Sequence, residues 1–209
     1  SSTASASILR GWLRDAGYAM AETVLNARDF GSLEERIRWF LVAFPPELDL
    51  CLDGLAPGDP GKTDLGPLLD PIGPDDERFR EVEYLKRKEE RDASKGSHFG
   101  MQYLTPQSTR VPVLRKGYHK GGSPDPRLLH PTDAARSRLL TAAEHARIKG
   151  VDPALIRSAS ETTEHRVCGP SVDGRPVQAI GRRIGAALRA GSMSTKAPAQ
   201  VWREFAVVG

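Results

Sequence analysis

The pattern of apolar and polar positions predicts a helix, a turn and a buried strand within the first 44 residues. The apolar stripe of the helix consists of Ile8, Leu9, Trp12 and Leu13. Gly17 suits the end of that helix, and a strand-like stretch and a turn follow it. The nearly continuous apolar run over 37–44 is typical of a strand that is covered on both faces. These elements together predict the end of an α/β sheet.

A segment rich in proline, glycine and acidic residues separates this start from a basic region. Residues 45–76 hold seven Pro, five Gly, eight acidic residues and one Lys, so they can form neither a regular helix nor a central strand. A helix is predicted over 77–92, and short strands broken by Pro and by a Gly-Gly turn follow it. Residues 93–124 carry five Lys or Arg and no acid, a local basic surface within a net charge of only +3.

The last third of the chain is predicted to be helical. Thr141 caps one helix, and Glu144, three residues later, completes a capping box. A second helix over 176–191 presents an apolar face formed by Val177, Ile180, Ile184 and Leu188. The two glycines of this helix lie four residues apart and would let a neighbouring element approach closely. Residues 191–209 are predicted to be a flexible tail.

Length and composition predict one domain, or one and a half, of an ordinary globular protein. The 209 residues are 27% charged and 39% hydrophobic, which excludes a collagen-like or fully disordered chain. No apolar run approaches the roughly 18 residues of a membrane span, and no secretory signal is visible, so we expect a cytoplasmic protein. Cys51 and Cys168 form no disulfide framework or zinc-binding pattern, so no metal is expected. Because the first residue is not Met, we expect a processed product or a piece of a longer protein.

Two arginines stand at the mouth of the predicted buried strand. Arg36 and Arg38 are two residues apart, so in an extended segment their side chains face the same side. A pair of guanidinium groups at that place suits a phosphate or a polarised carbonyl oxygen. The alternative is that both are surface side chains, paired with Glu34 and Glu35.

A loop of basic, aromatic and glycine residues, RKGYHKGG at 115–122, lies within the acid-free stretch. Basic residues interleaved with aromatic ones are typical of a loop that contacts nucleic acid, and glycines let the backbone approach a ligand. The predicted DNA contacts of this basic aromatic loop are Arg115, Lys116, Tyr118, His119 and Lys120. The alternative is a solvated hairpin.

Two further patterns lie near the C-terminus. Residues 141–160 resemble a helix-turn-helix whose second helix carries only Arg157 as a strong contact to DNA. A Gly-x-Ser-Val turn begins at Gly169, ahead of a helix, and can offer N–H groups and a hydroxyl to a small anionic group. The histidines are scattered, and His145 and His165, each preceded by a Glu, are predicted to lie on helix surfaces.

The order of these motifs resembles the cytosine-5 DNA methyltransferase family. LNARDFGSLEERIRWFLVAF is similar to the family's eighth motif, in which a Gln-x-Arg-x-Arg run follows an Asp-Tyr-Gly turn. RLLTAAEHARIKG is similar to the ninth, Arg-x-Leu-Thr-x-x-Glu-x-Ala-Arg-x-x-Gly. HRVCGPSV, followed by a helix, is similar to the tenth, in which Gly-Asn-Ser-Val opens the last helix. About 110 residues separate Gly31 from Thr141, and in the family this gap holds the target recognition domain.

The resemblance covers residues 1 to about 190 and implies a mixed α/β fold. Residues 1–44 would be the last helix and strands of a Rossmann-like methyltransferase sheet, and 45–138 a small, irregular, β-rich target recognition domain. Residues 139–190 would return to pack on the methyltransferase domain. The implied function is to recognise a specific duplex DNA sequence and close the cofactor site, while a methyl group passes from S-adenosylmethionine to C5 of cytosine.

The resemblance also implies roles for single residues. Arg38 would contact the flipped cytosine or its flanking phosphate, and Arg36 would brace the site. The S-adenosylmethionine pocket would be lined by Gly169, Ser171 and Val172. The family's cofactor loop Phe-x-Gly-x-Gly, its Pro-Cys nucleophile and its Glu-Asn-Val motif do not occur in this sequence. We therefore expect the chain alone to be inactive and to need a catalytic half, in cis or as a separate subunit.

Two departures from the motifs bear on this function. Glu34 replaces the Gln of the eighth motif and would place a negative charge near DNA unless Arg36 or Arg38 neutralises it. Pro170 replaces the Asn of the tenth and has neither a side-chain amide nor a backbone N–H, so an expected cofactor contact would be missing. Two alternatives stay open: a non-catalytic DNA-binding protein that uses 141–160 as a helix-turn-helix, and a degenerate methyltransferase remnant.

Overall fold

The chain folds into five α-helices and five strands within the ranges that the structure describes. The structure is a computed structural model and describes residues 3–55, 64–96, 100–158 and 160–190. The elements are α1 (Ala4–Asp15), β1 (Ala19–Asn26), β2 (Ile37–Phe44), α2 (Glu83–Ser94), β3 (Tyr103–Leu104), β4 (Arg127–Leu129), β5 (Ser137–Arg138), α3 (Ala142–Ile148), α4 (Glu161–Cys168) and α5 (Gly174–Ala190). None of the helices in these ranges is long and apolar enough to span a membrane. The predicted tail lies outside the described residues.

Strands β1 and β2 form an antiparallel hairpin that pairs along its whole length, with Ala19 opposite Phe44. The connection begins with a short 3-10 turn and includes Gly31 at a φ of 84°, a left-handed conformation that favours glycine. The Asn26 side chain fixes both ends of the connection, because its oxygen accepts hydrogen bonds from the backbone N–H groups of Arg28 and Arg36. The predicted strand, turn and strand are therefore confirmed.

The apolar stripe of α1 and the first half of β2 are exposed. No residue of α1 is buried, and Trp12 is 70% exposed. Ile37 and Trp39 at the start of β2 are exposed as well. The Arg10 side chain of α1 lies over the Trp39 ring but leaves it exposed, so the prediction that β2 is covered on both faces is wrong for its first half. Only its end, at Phe44, is buried.

Helix α5 packs against the hairpin and closes the first hydrophobic core. This core consists of Leu25, Phe30, Phe44, Leu50, Leu52, Ala179 and Ile180. The predicted apolar face of α5 is only partly correct, because Val177 and Leu188 are exposed. The expected close approach at Gly181 and Gly185 is also wrong: a Cβ at Gly181 would meet nothing within 4 Å, and one at Gly185 would meet only Arg189.

A second core joins the middle segment (45–138) to the return segment (139–190). Strand β3 runs parallel to β4, and β4 is antiparallel to β5, so the three short strands form one small sheet. The buried residues of this core are Leu33, Leu65, Leu104, Val111, Leu114, Tyr118, Leu128, Leu140 and Ile148. Since Leu33 precedes β2 and Ile148 ends α3, the middle segment is tied to both of its neighbours by apolar contacts.

Helix α3 starts where its sequence signal predicts, whereas α2 starts later than predicted. Thr141 caps α3 by accepting from the N–H of Glu144, and the Glu144 carboxylate accepts from the N–H of Thr141, so the predicted capping box is confirmed. Helix α2 begins at Glu83, six residues after the predicted start at 77. The delay arises because the backbone of Arg80 pairs with that of Ser137, which holds the residues before α2 in an extended form.

Candidate functional site

The two arginines at the start of β2 have different environments. Arg36 is 7% exposed, and its Nη2 donates to the carbonyl oxygen of Gly169 over 3.2 Å. Burial lowers the pKa of Arg36 from its ordinary value. Arg38 is exposed, and its Nη1 donates to the neighbouring carbonyl of Ile37 over 2.7 Å. Arg36 therefore holds the start of β2 to the turn after α4, whereas the guanidinium of Arg38 faces solvent.

The alternative pairing of these arginines with Glu34 and Glu35 is not formed. Glu35 pairs with Arg110 instead. Glu34 is fully buried, and its Oε2 lies 2.6 Å from the Nζ of Lys149, which is also fully buried. Its Oε1 accepts from the backbone N–H of Leu114 over 2.7 Å. The carboxylate thus points into the protein and is neutralised by Lys149, which corrects the expectation that it would lie near DNA.

Glu34, Arg36, Lys149 and Asp173 together form a buried charge cluster with two charges of each sign. Burial lowers the pKa of Lys149, an effect that Glu34 partly offsets, and burial raises the pKa of Asp173, an effect that Arg175 partly offsets. Asp173 also accepts a hydrogen bond from Arg175 over 2.9 Å. The cluster is contributed by the hairpin connection, the end of α3 and the start of α5, so it holds together the segments that carry all three sequence motifs.

The turn at 169–172 is packed tightly against the basic aromatic loop. A Cβ built on Gly169 would lie 2.2 Å from the backbone N and Cα of Lys116, so only glycine fits there. The hydroxyl of Ser171 donates to the carbonyl of Cys168 over 2.6 Å, and Val172 is exposed. Gly169, Ser171 and Val172, which were predicted to line a cofactor pocket, thus lie in one turn. The space beside the Cα of Gly169 is filled by the backbone of Lys116.

The basic aromatic loop is divided between core and surface. Tyr118 is fully buried: its hydroxyl donates to the carbonyl of Pro126 and accepts from the N–H of Leu140. The prediction that Tyr118 contacts DNA is therefore wrong, because the ring is a core residue. Arg115 is half exposed and pairs with Asp125 at 3.0 Å, and Lys116 and Lys120 are exposed. Their roles in DNA binding stay predictions, as does that of the half-buried His119.

The prediction that His145 and His165 lie on helix surfaces is wrong. Both are buried, and their Nδ1 atoms lie 3.0 Å apart, so one neutral ring donates to the other. Burial, helped by the charge of Lys149, lowers the pKa of His145 to about 3, and burial also lowers that of His165. The pair forms because α3 and α4 pack side by side, a contact that sequence spacing does not reveal.

This histidine pair makes stability depend on pH. Unfolding returns His145 to its ordinary pKa of 6.5, so below that pH the unfolded chain binds more protons than the folded one. We expect the free energy of unfolding to be flat near pH 7 and to fall by up to about 1.4 kcal/mol per pH unit for each histidine below pH 6.5. Urea unfolding between pH 7 and 5 measures this fall, and a His145→Asn variant should show a shallower one. Equal slopes for the two proteins would contradict the assignment.

The helix-turn-helix interpretation lacks its second helix. After α3, the chain forms only a three-residue 3-10 turn, Pro153–Leu155, and α4 does not begin until Glu161. Helix α3 itself buries five of its seven residues, so no face of it is free to enter a DNA groove. The prediction of a helix-turn-helix over 141–160 is therefore wrong, because the residues after α3 form a short turn that contains Pro153 instead of a second helix.

Cys168, the cysteine next to this site, has no features of a nucleophile. It is fully buried, and burial raises the pKa of its thiol to about 11. Cys51 is exposed, and its sulfur accepts from the N–H of Asp53. Among the described residues, no group of three or more His, Cys, Asp or Glu side chains is placed to hold a metal ion.

Comparisons with known proteins agree with the motifs. The sequence profile of the family described as C-5 cytosine-specific DNA methylase matches residues 7–186. The chain is 30% identical over 189 residues to Type II methyltransferase M.NlaX of Neisseria lactamica, covering 88% of this chain and 58% of that protein. It is 24% identical over 184 residues to Type II methyltransferase M.SsoII of Shigella sonnei, covering 85% of this chain and 47% of that protein. The chain thus spans about half the length of these curated relatives.

Solved structures show the same fold. The chain superimposes on the Dnmt2 methyltransferase of S. pombe with a TM-score of 0.70 at 20% identity, covering 91% of this chain and 62% of that one. For the DNMT2 mutant of Spodoptera frugiperda the TM-score is 0.68 at 14% identity, with 88% and 62% covered. The predicted fold class, the end of a Rossmann-like methyltransferase sheet with a small irregular lobe, is confirmed.

Proposed function

This chain belongs to the C-5 cytosine-specific DNA methylase family, and on that premise we propose that it is the DNA-recognition and cofactor-site-closing half of a DNA cytosine-5 methyltransferase. Joined to a catalytic half, it would direct methyl transfer from S-adenosylmethionine to C5 of cytosine in a specific duplex sequence. We place this enzyme in the cytoplasm, where two unpaired cysteines persist as thiols.

The observation that carries this proposal is the exposed apolar face at the start of the chain. It is formed by exposed side chains on α1 (Ile8, Leu9 and Trp12) and at the start of β2 (Ile37 and Trp39). Large exposed apolar groups favour burial against another protein surface. Because the chain spans 58% of M.NlaX, we propose that the rest of a methyltransferase, supplying the other strands of the sheet, covers this face.

In this proposal, each predicted site residue has a role that its environment supports. Arg38, exposed beside the apolar face, would contact the flipped cytosine or its flanking phosphate. Arg36, held by Gly169, would position the strand end that carries Arg38. Arg115, Lys116, His119 and Lys120 would contact DNA.

The turn at 169–172 partly fits S-adenosylmethionine. Val172 is exposed and Ser171 has free acceptor capacity on its hydroxyl, so these two would line the pocket. Gly169 would only hold the turn in place, because Lys116 fills its open side. The cofactor supplies the methyl group, and the catalytic half supplies the nucleophile.

A methyl-transfer assay tests the proposal. The 209-residue chain alone should transfer no methyl group to mixed-sequence duplex DNA, and transfer should begin when a catalytic half carrying the Pro-Cys motif is added. Tritiated S-adenosylmethionine measures the rate. Turnover by the chain alone that is abolished by Cys51→Ala or Cys168→Ala would overturn the proposal.

A matched pair of variants tests whether the exposed apolar face binds the catalytic half. Trp12→Glu places a charge in the apolar face and should prevent the catalytic half from binding, whereas Leu155→Glu, at another highly exposed apolar residue, should not. Co-purification of the two halves measures binding. If both variants bind the catalytic half equally well, the apolar face is not the docking surface.

The degenerate-remnant alternative keeps one observation in its favour. Pro170 stands where the family has Asn, so the turn has neither that amide nor a backbone N–H at this position. A remnant would bind DNA and a catalytic half yet give no turnover in the assay above. Turnover by the combined halves would exclude it.

A further inference from the structure

A basic cleft of about 440 Å³ lies where the middle segment meets the return segment. Its lining includes Arg80 from the residues before α2, Tyr84 from the start of α2 and Arg127 from β4. Lys120 of the basic aromatic loop and Glu161 of α4 also line it. The cleft is separate from the apolar face of α1 and β2, and none of its lining residues belongs to the buried charge cluster.

Three of the four Arg and Lys side chains that line this cleft have no carboxylate partner. Arg78 pairs with Asp76 at 3.7 Å, whereas Arg80, Lys120 and Arg127 form no ion pair with a carboxylate in the part of the chain that the structure describes. Arg127 is buried, and burial lowers its pKa. A buried guanidinium without a counter-ion is costly unless a ligand supplies the negative charge. The cleft therefore favours an anion.

The guanidinium of Arg127 is held in one orientation by two of its nitrogens, and the third is available to a ligand. Its Nε donates to the hydroxyl of Ser137 over 2.9 Å and its Nη2 to the carbonyl of the same residue, which fixes the plane of the guanidinium. The remaining nitrogen, Nη1, makes no hydrogen bond within the described residues and lies beside Gly121, at the rim of the cleft. The Nδ1 of His119, which lines the same cleft, is buried and has no hydrogen-bond partner there.

The other lining groups favour a phosphodiester over a small inorganic ion. Leu139, Leu140 and Val82 give the cleft apolar surface, which suits a sugar next to a phosphate. The single carboxylate in the lining, Glu161, accepts from the N–H of Ala142, and its side chain is mostly exposed.

We propose that this cleft binds a backbone phosphodiester of duplex DNA through Arg80, Lys120 and Arg127. The proposal rests on the proposed function, which makes DNA the substrate, and adds Arg80 and Arg127 to the interface. Of the basic aromatic loop, Lys120 would make this contact, whereas Arg115 is engaged by Asp125.

A salt titration of DNA binding tests the cleft. Duplex affinity of the 209-residue chain is measured by fluorescence anisotropy between about 50 and 200 mM salt, the range over which phosphate contacts lose strength. Arg80→Gln and Lys120→Ala should each reduce the log–log salt slope by about one. Arg182→Ala, which removes an exposed arginine of α5 outside the cleft, should leave the slope unchanged. Wild-type slopes for both cleft variants would overturn the proposal.

Further measurements distinguish a phosphate of duplex DNA from free inorganic phosphate and from a phosphate of RNA. Glu161→Gln should tighten duplex binding by roughly two- to fivefold, because it removes a nearby negative charge. If Arg80→Gln weakens the binding of inorganic phosphate but leaves the duplex slope intact, the cleft binds free phosphate and the DNA assignment is wrong. If the same variant weakens binding of duplex RNA but not of duplex DNA, the DNA assignment is equally wrong.

The salt titration tests the cleft, and the methyl-transfer assay tests the proposed function, so each proposal can fail without the other. A slope change at Arg80 without any methyl transfer by the combined halves would support the cleft and contradict the proposed function. Methyl transfer by the combined halves with unchanged salt slopes would support the proposed function and contradict the assignment of the cleft. The Arg80→Gln substitution is chosen over a change at Arg127, because Arg80 does not have the buried side-chain contacts that Arg127 makes with Ser137.

Discussion

Replacing Arg38 with alanine is expected to slow single-turnover methylation by about 10²–10³-fold while changing DNA affinity little. The guanidinium of Arg38 is exposed and makes a single hydrogen bond to its neighbour's carbonyl, so it is free to meet substrate. A donor aimed at the cytosine is engaged fully only when the base is flipped and charge develops on its ring. The rate is measured with the combined halves at saturating DNA, and affinity is measured in parallel.

Arg36→Ala is the control for this prediction. Arg36 is buried and bonded to Gly169, so its loss should chiefly loosen the fold and lower the unfolding midpoint. If Arg38→Ala methylates at the wild-type rate once saturated with DNA, Arg38 is only a phosphate anchor. The eighth-motif assignment would then lose its chemical content, and the degenerate-remnant alternative would be favoured.

The second large effect is expected at Lys149. Lys149→Gln leaves the fully buried carboxylate of Glu34 without its counter-charge and should lower the free energy of unfolding by about 3–5 kcal/mol. Adding Glu34→Gln should restore most of the loss, because Gln keeps an oxygen that accepts from the N–H of Leu114 and removes the unpaired charge. Urea unfolding near pH 7 measures both.

Lys120→Gln serves as the matched control for Lys149, because Lys120 is exposed and should change stability by less than about 0.5 kcal/mol. The prediction depends on non-additivity: the double variant must be more stable than the single one. If the double variant is as unstable as Lys149→Gln alone, the lysine acts through its packed methylenes rather than through its charge.

Local sequence signals predicted the elements of the fold well. The capping box at Thr141, the turn before β2 and the helix α1 each depend on residues within four positions of one another. The order of the three motifs indicated the family, because motifs can be recognised along the sequence without knowing which residues pack together. These features could be predicted because the interactions that cause them join residues that are close together in the sequence.

The site itself was less predictable because its contacts join distant positions. Glu34 and Lys149 are 115 residues apart, and nothing in either motif shows that they pair. Tyr118 looked like a DNA-contacting residue because it stands among basic residues, yet its hydroxyl bonds to Leu140, 22 positions away. The departure at Glu34 was the available signal: a buried carboxylate in place of a neutral residue requires a cation, and Lys149 follows the ninth motif's arginine by two residues.

The contact between Glu34 and the middle segment uses a backbone group. Glu34 accepts from the main-chain N–H of Leu114, which every residue except proline provides. The same holds for Gly169, whose open side is filled by the main chain of Lys116 rather than by its side chain. The stretch 114–116 of the middle segment is therefore held by two contacts to its main chain, which do not depend on its side chains. A middle segment of different sequence can be held in the same way, and under the proposed function this would let related chains recognise different DNA sequences without changing the parts that hold the segment.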